Sequence, residues 1–152
     1  MFMKRFTLAA TAVLTLAAAF PAAAQFQKPE DAIKYRKAAF TVMANHFSRI
    51  GAMANGKAAF DARAAQINAE IVNTMAALPW AGFIDGTASG DTRAKAEVWS
   101  KGDDFKAGAL KMQEEIGKLN AAAKTGNLDQ IKAAFGGAAK TCKACHDDFR
   151  KE

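Results

Sequence analysis

The sequence predicts an all-α protein, an antiparallel up-down-up-down four-helix bundle with a long crossover loop between helices 2 and 3. Three observations carry this. Four segments repeat apolar residues at steps of three and four, the period of one helix face. The apolar share, 51% of 152 residues, comes mostly from Ala, with few Val and one Tyr, a bias toward helix over sheet. The length suits one domain, and long helices of this kind in one chain pack as a bundle.

Residues 1–24 precede that domain. Lys4 and Arg5 give a short basic start, Phe6 to Phe20 is an apolar run, and Pro21 with Ala22-Ala23-Ala24 offers a small-residue cleavage site. This is the three-part pattern of a secretory signal peptide. The rival, a membrane anchor, needs roughly 20 apolar residues, more than this run supplies. Residues 25–152 are expected to form one domain, without a second hydrophobic run, an internal repeat or a low-complexity linker. Export places the mature chain in the periplasm, with no membrane association after cleavage.

The first helix opens at Lys28-Pro29-Glu30-Asp31, where Pro suits the first turn and the acids favour the positive dipole end. Ile33, Arg36, Phe40, Met43, Phe47 and Ile50 share one face, and Asn55-Gly56 is a stop signal. The second helix carries Phe60, Ala64, Ile67, Ile71, Met75 and Leu78, and Pro79 ends it. From 79 to 102 the rhythm breaks. A connection this long is more often functional than decorative, and Trp80, Phe83 and Trp99 are expected to cover something apolar. The third helix carries Phe105, Ala109, Met112, Ile116, Leu119 and Ala123, with Gly126 as its stop. Asn127 caps the fourth, with Gln130 placed for a reciprocal capping box. The fourth presents Leu128, Ile131, Phe135, Ala138, Cys142, Cys145 and Phe149 on one stripe.

The two cysteines are too few for a disulfide-stapled miniature, and the composition is too apolar for a disordered tail. The charge is +6 and falls by two when Lys4 and Arg5 are cleaved. Lys124, Lys132, Lys140, Lys143, Arg150 and Lys151 thicken the positive charge toward the C-terminus, which can steer an acidic partner. Most of these are ordinary solvated lysines. No aromatic-interleaved basic stripe marks a nucleic-acid binder.

Both cysteines fall in Cys142-Lys143-Ala144-Cys145-His146, a C-x-x-C-H sequence of the kind that attaches c-type haem. Thiols at i and i+3 share a helix face, so each can form a thioether with one haem vinyl group. His146, beside Cys145, is placed to ligate the iron. The stripe puts both cysteines toward the bundle core, so the haem is expected there. Three rivals fit less well. A thioredoxin-type pair needs a strand–loop–helix setting. A disulfide three residues apart within a helix is strained and closes almost no loop. Zinc needs more ligands, and the other histidine is His46. A haem-free four-helix protein would leave the cysteine pair unexplained.

From Gln25 to Glu152 the sequence resembles cytochrome c′, whose C-x-x-C-H lies near the C-terminus of a four-helix bundle. The likeness includes Gln25-Phe26-Gln27-Lys28-Pro29-Glu30-Asp31-Ala32, Lys34-Tyr35-Arg36, Ala76-Ala77-Leu78-Pro79-Trp80, Gly90-Asp91, Val98-Trp99-Ser100 and Cys142 through Arg150. The resemblance implies one covalent haem c, with Cys142 and Cys145 as thioether anchors and His146 as axial ligand. It implies that Arg36 lies near the haem propionates, Lys37 and Asp91 near the haem edge, Trp80 and Phe83 against the haem, and Arg150 on the proximal side. Phe149 stands where relatives carry Tyr. It also implies a homodimer through the first two helices, where Ala38, Ala39, Ala58, Ala59, Ala62 and Ala65 allow close approach.

In low-spin relatives of this fold a first-helix Met four residues after the Arg is the sixth ligand. Here that position is Phe40, which cannot ligate iron and is expected to crowd the distal face. Met43 and His46 are the challengers, though Met at a seam position is a common gap-filler. The expected state is therefore a five-coordinate, high-spin haem that binds small diatomic gases, nitric oxide and more weakly carbon monoxide. The alternative is electron transfer with an acidic periplasmic redox partner. No paired carboxylates or nucleophile accompany the motif, so no enzyme is expected.

Overall fold

The computed structural model describes residues 25–152, and the expected signal peptide, residues 1–24, lies outside the described residues. The described chain is helical: α1 (Pro29–Ala54), α2 (Ala62–Met75), a 3₁₀ turn (Pro79–Gly82), α3 (Glu97–Ser100), α4 (Gly102–Lys124) and α5 (Leu128–Phe149). The four long helices form the bundle, with α1 against α2, α2 against α4, α4 against α5, and a looser contact closing α5 onto α1.

Local chemistry sets most boundaries. Pro29 occupies the first turn of α1, with Glu30 and Asp31 beside it. Asp61 caps α2 by accepting from the Ala64 N–H at 2.9 Å. Gly56 and Gly126, at φ 70° and 69°, turn the chain after α1 and α4 in a conformation that disfavours side chains. Asn127 Oδ1 caps α5, accepting from Asp129 N and Gln130 N at 3.0 and 3.1 Å. The reciprocal Gln130 half of the expected capping box does not form. The Asn127 N–H donates instead to Thr125 Oγ1 at 3.1 Å.

The expected faces of α1 and α4 hold. Ile50, Ile116, Leu119 and Ile131 are fully buried, each contributing roughly 1.5–3 kcal/mol. The face of α2 does not hold. Ala65, Ala69, Val72 and Ala76 are buried, whereas Ile67 is 44% exposed and Leu78 37%. The buried row is turned by one residue, about 100°, from the expected one. Size ranked Ile67 above Ala65, but a close helix–helix approach selects the small side chains. The connection from 76 to 101 is also more structured than a loop, holding the 3₁₀ turn and α3.

Two helical glycines make opposite predictions. A Cβ at Gly51 would lie 2.6 Å from the Phe135 ring, which stacks on Phe47 at 4.4 Å and joins α5 to α1. Gly51→Ala should cost roughly 1–3 kcal/mol by overpacking. A Cβ at Gly137 would meet only the Glu115 carboxylate, a movable end that already bridges Lys111 and Lys118. Gly137→Ala should be neutral or gain up to about 1 kcal/mol of helix propensity. Urea unfolding of the two variants checks both signs.

Candidate functional site

A cavity of about 470 Å³ opens between α1, α4, α5 and the crossover. Phe40, Met43, Phe47, Val72, Trp80, Phe83, Phe105, Met112 and Ile116 form apolar walls, and Cys142, Cys145 and His146 face it from α5. A second hollow, about 460 Å³, lies outside Cys145 and mixes Lys95, Lys101 and Lys111 with Glu97, Asp104, Asp147 and Asp148. It lacks the apolar walls a planar hydrophobic group requires.

Helical spacing brings the motif together. Cys142 and Cys145 lie three residues apart on α5, half-buried and both free thiols. Burial pushes both thiols up, and for Cys145 the neighbouring Cys142 and Asp148 add to it. Reactive redox cysteines have lowered values, so this pair is not poised as a thiolate couple. Burial, then Arg150 and Arg93, hold His146 below the usual histidine value, with Asp147 opposing. The imidazole is therefore neutral near pH 7, the form that ligates metals.

Arg150 Nη1 lies 3.5 Å from His146 Nδ1, a long contact. A guanidinium only donates, so this contact requires an unprotonated Nδ1. Phe149 is buried, its ring 5.2 Å from that of Phe105. A tyrosine hydroxyl at this position would need a partner, which the phenylalanine does not.

Arg36 is 2% exposed and has a larger structural role than expected. Its Nη1 donates to Gly82 O and Thr87 Oγ1, both at 2.8 Å. Its Nη2 donates to Thr87 O at 2.8 Å and Thr92 Oγ1 at 2.7 Å. All four terminal N–H groups thus hold the crossover, and of the five donors of a guanidinium only Nε–H remains for an anion. The cation also sits 4.4 Å over the Phe83 ring.

Lys37 lines the cavity mouth and pairs with Asp91 at 2.6 Å. That pairing holds the Asp91 carboxyl below the usual range. Asp91 itself does not line the cavity and is highly exposed. It acts on the site only through Lys37. Phe40 sits in the wall, edge-on to Trp80 at 5.7 Å and to Phe83 at 6.3 Å. Met43 is buried and borders the same cavity. His46 does not line it, because its Nδ1 is hydrogen-bonded to Asn68 Oδ1 of α2 at 2.7 Å.

Sequence reasoning missed Thr87, Thr92 and Arg93. It also missed a clasp between the crossover and the C-terminus. Ala94 and Arg150 form an isolated antiparallel bridge. Lys95 N donates to Phe149 O at 2.9 Å and Lys151 N to Arg93 O at 2.8 Å. No periodicity announces a two-residue pairing, so nothing in the sequence could have signalled it.

The site suits haem on its own chemistry. Paired thiols, a neutral imidazole and apolar walls face one cavity. The charged lining residues are Arg36, Lys37, Arg93 and Arg150, all cations, as suits a group carrying two carboxylates.

Comparison with known proteins agrees. Residues 31–150 match the family model described as Cytochrome C'. Cytochrome c' of Rubrivivax gelatinosus is 52% identical, the match covering 84% of this chain and all of that protein. Cytochrome c' of Alcaligenes xylosoxydans xylosoxydans is 48% identical over 84% of this chain and 99% of its own. The Rubrivivax gelatinosus crystal structure superposes with a TM-score of 0.81 at 52% identity, again over 84% of this chain and all of that one. A nitric oxide complex of a variant Alcaligenes xylosoxidans cytochrome c prime gives 0.79 at 47% identity, over 84% and 99%.

Proposed function

This chain belongs to the cytochrome c′ family, with haem c as its cofactor, and from that premise we propose that it is an exported protein whose five-coordinate haem binds small diatomic gases, nitric oxide above all. The observation that carries the reading is Phe40, a residue without a ligating atom, in the α1 wall of the cavity that His146 faces from α5. Residues 1–24 are then a cleaved leader and residues 25–152 the working domain in the periplasm. Among the described residues no helix is long and apolar enough to cross a membrane.

When bound, the haem would supply an iron able to take an imidazole and a small neutral gas as ligands. The chain supplies everything else. Cys142 and Cys145 would anchor the group by two thioethers. His146 would give the Nε2 lone pair, which keeps its proton on Nδ1, and the Arg150 contact would then open because a guanidinium cannot accept that proton. Lys37, Arg93, Arg150 and the one free donor of Arg36 offset the carboxylates. Phe40, Met43, Val72, Met112 and Ile116 offer no N–H or O–H donor, so a polar oxygen adduct or an anion gains nothing there. A small neutral gas loses little. We assign the protein no catalytic role.

Optical and spin-resonance spectra of the purified ferric and ferrous protein test this. High-spin spectra that shift with nitric oxide are expected. A low-spin, six-coordinate spectrum would mean that a side chain such as Met43 ligates the iron. The second reading, one-electron exchange with an acidic partner, draws on the exposed cations Lys37, Arg93 and Arg150 at the mouth. Exchange that slows steeply with salt would favour it. A homodimer through α1 and α2 is supported by Val42 and Ile67, 41% and 44% exposed, and sedimentation velocity reads it directly. Ala39 and Ala65 are buried within the subunit, so they do not belong to such an interface.

A further inference from the structure

We propose that Trp80 sets how fast a gas reaches the iron, by serving as the backstop against which the Phe40 ring rests. This deepens the gas-binding reading and rests on it. The Phe40 ring meets the Trp80 indole edge-on, with an interplanar angle of 86°. The indole is itself immobilised. Its Nε1 donates to Ala76 O at 2.7 Å, Phe105 abuts it at 5.6 Å and Phe83 stacks on it at 6.2 Å.

The turn that carries Trp80 is locked to the helix that carries Phe40. Pro79 is fully buried, and Gly82 O accepts from Arg36, one helical turn before Phe40. A Cβ at Gly82 would lie 2.6 Å from Ala32 O, so the backbone of the turn rests directly on α1. Staggered rotamers leave a helical Phe few positions. With the indole fixed, one direction of retreat for the Phe40 ring is closed. Trp80 therefore acts through Phe40, as a positioning residue.

The test is a four-protein cycle of haem-loaded chains: wild type, Trp80→Leu, Phe40→Ala and the double variant. Carbon monoxide association with the ferrous protein is followed by flash photolysis. Trp80→Leu should accelerate association about three- to tenfold, the scale of one lost aromatic pair. It should leave the rate unchanged in the Phe40→Ala background. Equal acceleration in both backgrounds, or none in the wild type, overturns the proposal.

Urea midpoints of the same four proteins give a readout independent of gas. Non-additive shifts are expected from side chains in contact, and additive shifts overturn the contact itself. If the midpoints are non-additive but no member of the cycle binds carbon monoxide or nitric oxide, the gas-binding reading fails, and the rate-setting role fails with it. Trp80→Phe, which keeps an aromatic ring in the core, repeats the test should Trp80→Leu not fold. A smaller acceleration in the same direction is expected of it.

Discussion

Arg36→Met should lower the melting temperature by roughly 10–20 °C and loosen the crossover before the rest of the bundle. One buried cation holds Gly82, Thr87 and Thr92 through four short hydrogen bonds. None of those acceptors is a carboxylate, so backbone and hydroxyl dipoles, with the Phe83 and Trp99 rings under the guanidinium, offset the burial of the charge. A methionine fills the space but leaves Gly82 O and Thr87 O without this donor in a buried setting. Each orphaned acceptor costs about 1–3 kcal/mol, and the whole loss should reach about 3–5 kcal/mol, a large fraction of a typical domain's stability. Arg36→Lys should recover little, because an ammonium cannot reproduce the planar fork. Thermal melting with limited proteolysis checks this. Early cleavage between residues 83 and 101 is expected, and a melting temperature within a few degrees of wild type would contradict the clamp.

The double variant Cys142→Ala with Cys145→Ala should lose all covalent haem, while either single variant keeps it through the remaining thioether. The two thiols face one cavity, and on the proposed reading each would form its own bond. Haem staining after denaturing electrophoresis reads the result. Signal in the wild type and both singles, and none in the double variant, is expected. Stain surviving in the double variant would place attachment elsewhere. Haem held by His146 and the walls alone becomes an ordinary ligand, so the stability it confers would depend on free haem concentration.

Much of this molecule follows from local rules. The four long helices, the caps at Asp61 and Asn127 and the buried rows of α1 and α4 depend on residues three or four positions apart. The haem motif is local in the same way, because Cys142, Cys145 and His146 need only one helix to share a face. Phe40 belongs with them. Its spacing from Arg36 is enough to deny the iron a methionine at that position.

The rest depends on contacts between residues far apart in the chain. Ile67 lost the core to Ala65 because the distance between α1 and α2 favours small side chains, and no property of α2 alone sets that distance. Thr87 and Thr92 are unremarkable polar residues until folding brings Arg36 to them across about fifty positions of chain. The clasp at Ala94 and Arg150 and the rest of Phe40 against Trp80 are of the same kind. The sequence by itself determined the four long helices and, through the C-x-x-C-H motif at Cys142 to His146, the cofactor. Only the tertiary structure decided which row of α2 is buried, what Arg36 holds and what the Phe40 ring rests against, because those depend on the distances between packed elements and not on the period of any one of them.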